Sequence, residues 1–176
     1  MTRVRLVAGA DARGAAYADA DWLGPSGEPA AALVVDGDGD GERAAALVLL
    51  DLASRAAAEV AGAARVEVVG SGFVAGAVSA LVGAGGDGPL AAIVDTSGDP
   101  ERIRAALGRL DDLGTLVLAG EPLGRPLELD LYPDVHVRGL RMVGVPLRTE
   151  VPREADLPAA AVELLNRPAA GLHRAA

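Results

Sequence analysis

Residues 70–76 read Gly-Ser-Gly-Phe-Val-Ala-Gly. They stand between a short apolar run ending at Val69 and a longer one from Phe73 to Val82. This is the outline of a strand-to-helix turn that grips a phosphate. Gly70 permits the tight turn, Gly72 lets the backbone approach a pyrophosphate, and Ala75 lets helix and strand pack closely. The free N–H groups at the start of the helix then face the anion. Gly70, Gly72 and Ala75 are therefore the candidates for binding NAD or NADP. The same residues also serve in a plain glycine-rich turn that binds nothing.

Asp95, Thr96 and Ser97 end a second apolar run, Leu90-Ala91-Ala92-Ile93-Val94. In an open α/β sheet, ligands bind outside the carboxyl ends of the strands, so Asp95 and Ser71 share a candidate catalytic edge if their strands are neighbours. Asp95 lies 25 residues beyond Gly70, a spacing that also nominates it to hold a ribose. As an alternative, Asp95 caps its own turn. His136, near Tyr132, Asp134 and Arg138, is a candidate general base because imidazole titrates near neutrality; it equally reads as a surface histidine. No spacing ties it to a serine, and His173 lies close to the C-terminus. Asp36, Asp38, Asp40 and Gly41 match the opening of a calcium loop, but its twelfth position, which needs a bidentate glutamate, is Leu47. The better reading is an acidic loop whose last carboxylates favour the start of a helix.

The elements that must position these residues alternate. Residues 3–8 alternate polar and apolar as a half-exposed strand does, 9–30 read as loop around Trp22, and 31–36 form a buried strand. A long helix spans about 42–62, with Asp51, Arg55 and Glu59 at i, i+4 and i+8 on one solvated face. Strand 65–70 enters the glycine turn, and helix 73–83 is apolar on all sides and should be sandwiched. Strand 90–95 follows the loop Gly-Ala-Gly-Gly-Asp-Gly-Pro (83–89). Helix 99–112 opens on Asp99 as N-cap with Pro100 at its first position. Strand 115–120, extended segments 127–131 and 138–145, a short helix 158–167 and a frayed tail complete the chain. Strands alternating with helices mean βαβ units, a parallel sheet and right-handed crossovers.

Composition narrows the chemistry. The chain has 176 residues, a length for one domain, and no cysteine. Disulfides, thiolate zinc sites and a cysteine nucleophile are thereby excluded. All 16 basic residues are arginine, so there is no lysine for a Schiff base or a P-loop. A net charge of −9 argues against nucleic acid and anionic membranes, which need a positive field. No window supplies the roughly 20 apolar residues of a membrane span, and the start of the chain has no apolar signal segment. The expected setting is cytoplasmic.

The stretch from Ala91 to Gly120, which contains Asp95-Thr96-Ser97-Gly98 and Gly114-Thr115-Leu116-Val117-Leu118-Ala119-Gly120, together with Arg138-Gly139-Leu140 and Gly144, resembles the later half of the nucleotide domain of medium-chain, zinc-type alcohol dehydrogenases. There an Asp-x-x-Gly strand leads to a helix, then to a Gly-Thr-x-Val-x-x-Gly strand, then to a final strand. The resemblance covers about residues 42–147. In that family two βα units lie between the glycine turn and the Asp-x-x-Gly strand; here residues 83–89 stand in their place. The resemblance thus implies that the ribose-binding acid is missing, that Asp95 matches the strand nearer the nicotinamide, and that the zinc-bearing catalytic domain is absent.

These readings converge on an α/β fold, a three-layer, truncated Rossmann-like arrangement with a mostly parallel sheet. It is expected as one domain over 1–176, with an N-terminal strand and loop (1–30), a core (31–147) and a closing helix and tail (148–176). The expected function is a degenerate dehydrogenase-like subunit that has lost hydride transfer and works in a small-molecule biosynthetic assembly, with no cofactor and no metal. It would be a scaffold or part of a redox-neutral site using Asp95, Ser71 and His136. The alternative is a minimal oxidoreductase using NADP or NAD. The resembled family pairs through the last strand of its sheet, so residues 138–145 are the expected surface for a homodimer or heteromer, beside a small-molecule substrate.

Overall fold

The computed structural model describes residues 2–8, 15–23, 27–36, 40–83, 87–121, 126–148 and 150–175. It contains two four-stranded sheets. Strands β4 (Val66–Val69), β5 (Ala92–Asp95), β6 (Thr115–Leu118) and β7 (Arg141–Gly144) form the parallel sheet in that order. Their register is regular, with Val69 opposite Asp95 and Asp95 opposite Leu118. The parallel sheet meets the expected fold class. The second sheet is antiparallel and orders β1 (Arg3–Ala8), β3 (Ala31–Asp36), β2 (Ala15–Asp19) and β8 (Leu172–Ala175).

Alternation along the parallel strands sorts side chains to two faces. Ile93 and Leu116 face helix α3 (Pro100–Arg109) and pack with Ile103, Ala106, Leu107 and Leu110. Ala92, Val94 and Val117 face the other way, into a cluster shared with helices α1 (Gly41–Glu59) and α2 (Phe73–Val82). The result is helix, sheet, helix. The same cluster continues into the antiparallel sheet through Val4, Leu33 and Val35.

Local chemistry explains the helices. The Asp40 side chain accepts from Arg43 N–H at 3.1 Å and caps α1. Ala45, Val48, Leu49, Leu52, Ala53 and Ala56 of α1 are fully buried, a 3.6-residue stripe that packs on α2 and β3. Asp99 caps α3 by accepting from Glu101 N–H at 2.9 Å, with Pro100 first inside.

Six expectations are corrected. The described residues among 1–30 hold two strands and a single 3-10 turn at Ala20–Trp22 rather than one strand and a loop. Strand 31–36 belongs to the antiparallel sheet, not to the Rossmann-like core, because β1 and β2 hydrogen-bond to both of its edges. Residues 127–131 form no strand; they lead into a single π-helical turn at Tyr132–His136. The tail is not frayed at 172–175, where β8 pairs with β2 over four residues. Glu59 does not extend the Asp51–Arg55 pair of 2.9 Å but reaches Arg141 on β7 at 2.7 Å. Helix α2 is sandwiched on one side only: Gly76, Ser79 and Ala80 are exposed. Residues 37–39 of the acidic loop and 84–86 of the loop before β5 lie outside the described residues.

Candidate functional site

The glycine turn sits where the sequence puts it, between β4 and α2, at the carboxyl edge of the parallel sheet. Gly70 has φ +144°, a backbone conformation costly for any residue with a Cβ. Gly72 is the N-cap of α2, with no side chain to cap the helix. A Cβ on Gly70 would strike Thr96 Oγ1 and the Asp21 carboxylate; one on Gly72 would fall on the Asp19 carboxylate. Close approach is therefore the reason for both glycines, as at a pyrophosphate site. Here the approaching groups are carboxylates of the chain itself.

Asp21 is the principal occupant. Its carboxylate accepts from Ser71 N–H at 2.8 and 2.9 Å, from the Ser71 hydroxyl at 2.9 Å and from Gly72 N–H at 2.9 Å. The Thr96 hydroxyl stands 3.1 Å from Asp21 Oδ2 and 3.2 Å from the Val69 carbonyl, and can donate to either. Asp19 takes the next donor: its Oδ2 accepts from Val74 N–H at 2.7 Å, and its Oδ1 accepts from Asp21 N–H at 2.9 Å, which also caps the turn at Ala20–Trp22. A carboxylate at a helix N-terminus is held by free N–H groups and by the positive end of the helix dipole. Glycine 171 closes the assembly from the C-terminal side, its carbonyl accepting from Ala20 N–H at 2.9 Å.

Burial sets the electrostatics. Asp19 is completely buried, and burial pushes its carboxyl up to about 6, partly offset by the bonds from Val74 and Asp21 N–H and by the charge of His173. Asp95 is also buried and its pKa is raised, first by burial, against hydrogen bonds from Ser97 and Gly98. The charge of Asp21 pushes both upward. Three carboxylates thus crowd one turn. Asp19 is half-protonated near pH 6 and mostly ionised at neutrality, and it is sealed from solvent in this arrangement.

The structure places the sequence candidates unequally. Gly70, Ser71, Gly72 and Ala75 lie together on the turn, and Asp95 ends the neighbouring strand. Asp95 is turned into its own loop: Oδ1 accepts from the Ser97 hydroxyl at 2.6 Å and Oδ2 from Gly98 N–H at 3.0 Å. His136 is not brought to them. It precedes β7, on the amino-edge side of the parallel sheet, where Leu140 N–H bonds to the Val135 carbonyl and the His136 ring meets Tyr132 edge-on at 5.2 Å. The histidine whose charge reaches the turn is His173, opposite Ala18 in the β2–β8 ladder. Sequence reasoning missed Asp19, Asp21 and His173. The available signal was Asp19-Ala20-Asp21-Trp22, paired acids beside the sole tryptophan.

A separate open cleft of about 950 Å³ lies between α3 and residues 128–138, lined by Arg104, Leu107, Glu128, Asp130, Tyr132 and Arg138. It does not include the glycine turn. Its arginines are already engaged, Arg104 with the Glu128 carbonyl and Arg138 with the carbonyls of Leu107 and Leu110.

Neither a protein-family model nor a curated protein matches the chain. Solved structures do match. L-idonate 5-dehydrogenase from Escherichia coli K-12 aligns with a TM-score of 0.52 at 17% identity, over 80% of this chain and 50% of its own. A candidate zinc-binding dehydrogenase from Sinorhizobium meliloti, bound to NADP, aligns with a TM-score of 0.53 at 16% identity, over 80% and 55%. One from Clostridium scindens aligns with a TM-score of 0.53 at 14% identity, over 78% and 52%. The chain therefore has the fold of zinc-binding, medium-chain dehydrogenases and spans about half the length of these proteins. The resemblance read from the sequence is met at the level of fold.

These comparisons correct the expectation of no cofactor, since the S. meliloti protein of the same fold holds NADP; absence of a dinucleotide does not follow from the fold. The residues in place do not fit one as they stand, because Asp21 and Asp19 use the phosphate-facing donors. Among the described residues no group of three His, Cys, Asp or Glu is arranged to hold a metal ion, so a zinc site is not formed by them. No helix of the described residues is long and apolar enough to cross a membrane.

Proposed function

We propose that this chain is a dehydrogenase-like subunit that no longer performs hydride transfer and works within a homo- or hetero-oligomeric assembly of small-molecule biosynthesis. Its role there is that of a scaffold or of part of a redox-neutral site, of cyclisation or elimination type. One observation carries the reading: the donors that would hold a dinucleotide phosphate, Ser71 N–H, Gly72 N–H and Val74 N–H, are taken by Asp21 and Asp19. A phosphate entering beside these carboxylates meets like charge at contact distance, at half-buried Asp21 and at fully buried Asp19, and is disfavoured by it.

Oligomerisation is proposed through β7. It is the last strand of the parallel sheet, and no strand of the described residues pairs with its outer edge. An unpaired edge invites a partner strand.

A second reading is favoured by the NADP-bound S. meliloti structure. Here the chain is a minimal NAD(P)-dependent oxidoreductase, and Gly70, Gly72 and Ala75 take the dinucleotide once Asp21 has withdrawn. Titration with NADPH and NADH, followed by an assay for their oxidation with carbonyl substrates, separates the two. The first reading expects no hydride transfer even where a dinucleotide binds. Binding tighter than about 100 µM by the unmodified chain, roughly −5.5 kcal/mol, together with hydride transfer to any carbonyl substrate, establishes the second.

A further inference from the structure

We propose that the single turn Ala20–Trp22 is a latch built into the chain: the Asp21 carboxylate stands where a phosphate would bind the glycine turn, and an outside oxyanion gains the turn only when the latch swings away. The proposal takes from the preceding section only the position of the turn, and it holds whichever chemistry the protein performs.

The occupant is visible and comes from about fifty residues earlier in the chain. Asp21 makes four hydrogen bonds to Ser71 and Gly72, using both carboxylate oxygens. The turn is shaped to receive it, since a Cβ at Gly70 or Gly72 would overlap the carboxylates. The carboxylate therefore reproduces the charge and acceptor set of a bound phosphate oxygen pair.

Three features make the closed position detachable rather than simply cohesive. Asp19 is buried with full loss of solvent, and the described residues form no ion pair with it. Asp21 repels both Asp19 and Asp95. Trp22 is completely buried, yet its indole N–H has no partner among the described residues, an unmade bond that costs energy. Withdrawal of Asp21 removes its repulsion of Asp19 and Asp95, and the lost hydrogen bonds of Ser71 and Gly72 are replaced by the incoming anion.

The latch carries its own reporter, because Trp22 is the only tryptophan and adjoins Asp21. The test titrates the full chain with inorganic pyrophosphate by calorimetry, for the natural protein, Asp21→Ala and Asp21→Asn, with acrylamide quenching of Trp22 read in parallel. Asp87→Ala, at an exposed loop position, controls for the change in net charge. The expected result is a gain in affinity of tenfold or more for Asp21→Ala, a smaller gain for Asp21→Asn, which keeps one acceptor, and none for Asp87→Ala. Where the natural protein is saturated, Trp22 quenching rises. Equal affinity in all variants, an equal gain for Asp87→Ala, or saturation with Trp22 still protected overturns the latch. So does loss of the fold in both Asp21 variants, since Asp21 is then a fixed structural staple. Pyrophosphate carries no hydride, so failure here leaves the NADPH titration to decide the functional reading separately.

Discussion

The Asp21 carboxylate accepts both the backbone N–H and the hydroxyl of Ser71, at 2.8–2.9 Å, across fifty residues of chain. This pairing converts a phosphate-type turn into an internal contact. It ties the antiparallel sheet, which ends in Asp19, to the amino end of α2 in the parallel half.

Gly72 tests the closeness of that contact. Its backbone, φ −83° and ψ −168°, is open to any residue, so a substitution is not strained locally. The added methyl of Gly72→Ala instead displaces the Asp19 carboxylate. A loss on the order of 2–3 kcal/mol is expected, from a buried charge deprived of its Val74 N–H partner. Gly76→Ala, one turn later with open space around it, should stabilise by about 1 kcal/mol through helix propensity. Urea unfolding of the two variants checks the contrast; equal effects would remove the steric argument.

Asp19 predicts a pH dependence. Its folded-state carboxyl, about 6, lies above the ordinary 3.8 because of burial. An acid raised in the folded state favours folding when protonated. Its contribution is therefore complete below about pH 3.8 and is lost as pH rises through about 6. At ~1.4 kcal/mol per pH unit the contribution is on the order of 3 kcal/mol. Asp95, raised in the same direction, adds a slope of the same sign. Asp19→Asn should flatten the melting temperature between pH 4 and 6.5 relative to the natural chain, and the latch should be tighter at pH 5 than at pH 7.5. A profile that is parallel in the two proteins would refute the assignment.

How much of this was legible beforehand follows the range of the interactions involved. The parallel strands, the glycine turn and the Asp99–Pro100 helix start depend on neighbours in sequence, and each was readable. The segments 15–19 and 172–175 become strands through distant pairing, 15–19 with both β3 and β8 and 172–175 with β2, and neither shows an alternating pattern that would announce it. Residues 127–131 do alternate, but no strand edge receives them. Asp19 and Asp21 were invisible as site residues because their partners lie fifty or more residues away. His136 was singled out for its polar neighbours, yet strand direction carries it to the opposite edge from Asp95.

Arg138 illustrates a motif whose reason emerges only in three dimensions. Its guanidinium donates to the Leu107 carbonyl at 2.7 Å, to the Leu110 carbonyl, and to Asp112 at 3.1 Å. The carbonyls closing α3 have no partners within the helix, and a fixed planar donor fork satisfies them together. Arg138→Lys can reach one of them at a time, so a loss of about 1–2 kcal/mol is expected in chemical unfolding. Full stability of the lysine variant would show that charge alone suffices.

The outer edge of β7 yields the last prediction. Val137 and Leu113 are 77% and 82% exposed. Val137 stands at the approach to β7; Leu113, whose N–H bonds to the Arg138 carbonyl at 2.9 Å, lies on the β6 side of the same connection. Tyr132 and Leu131 are exposed on the same connection. Apolar side chains grouped beside an unpaired strand edge mark an association surface. Two copies of an edge strand can pair about a two-fold axis, each residue meeting its counterpart's surroundings. Light scattering of the chain, alone and with co-encoded proteins, should give a mass above the 17.6 kDa monomer. Val137→Asp places a charge at the proposed contact without disturbing the core and should weaken association at least tenfold, about 1.4 kcal/mol. A monomeric mass under every condition would remove residues 138–145 as the interface.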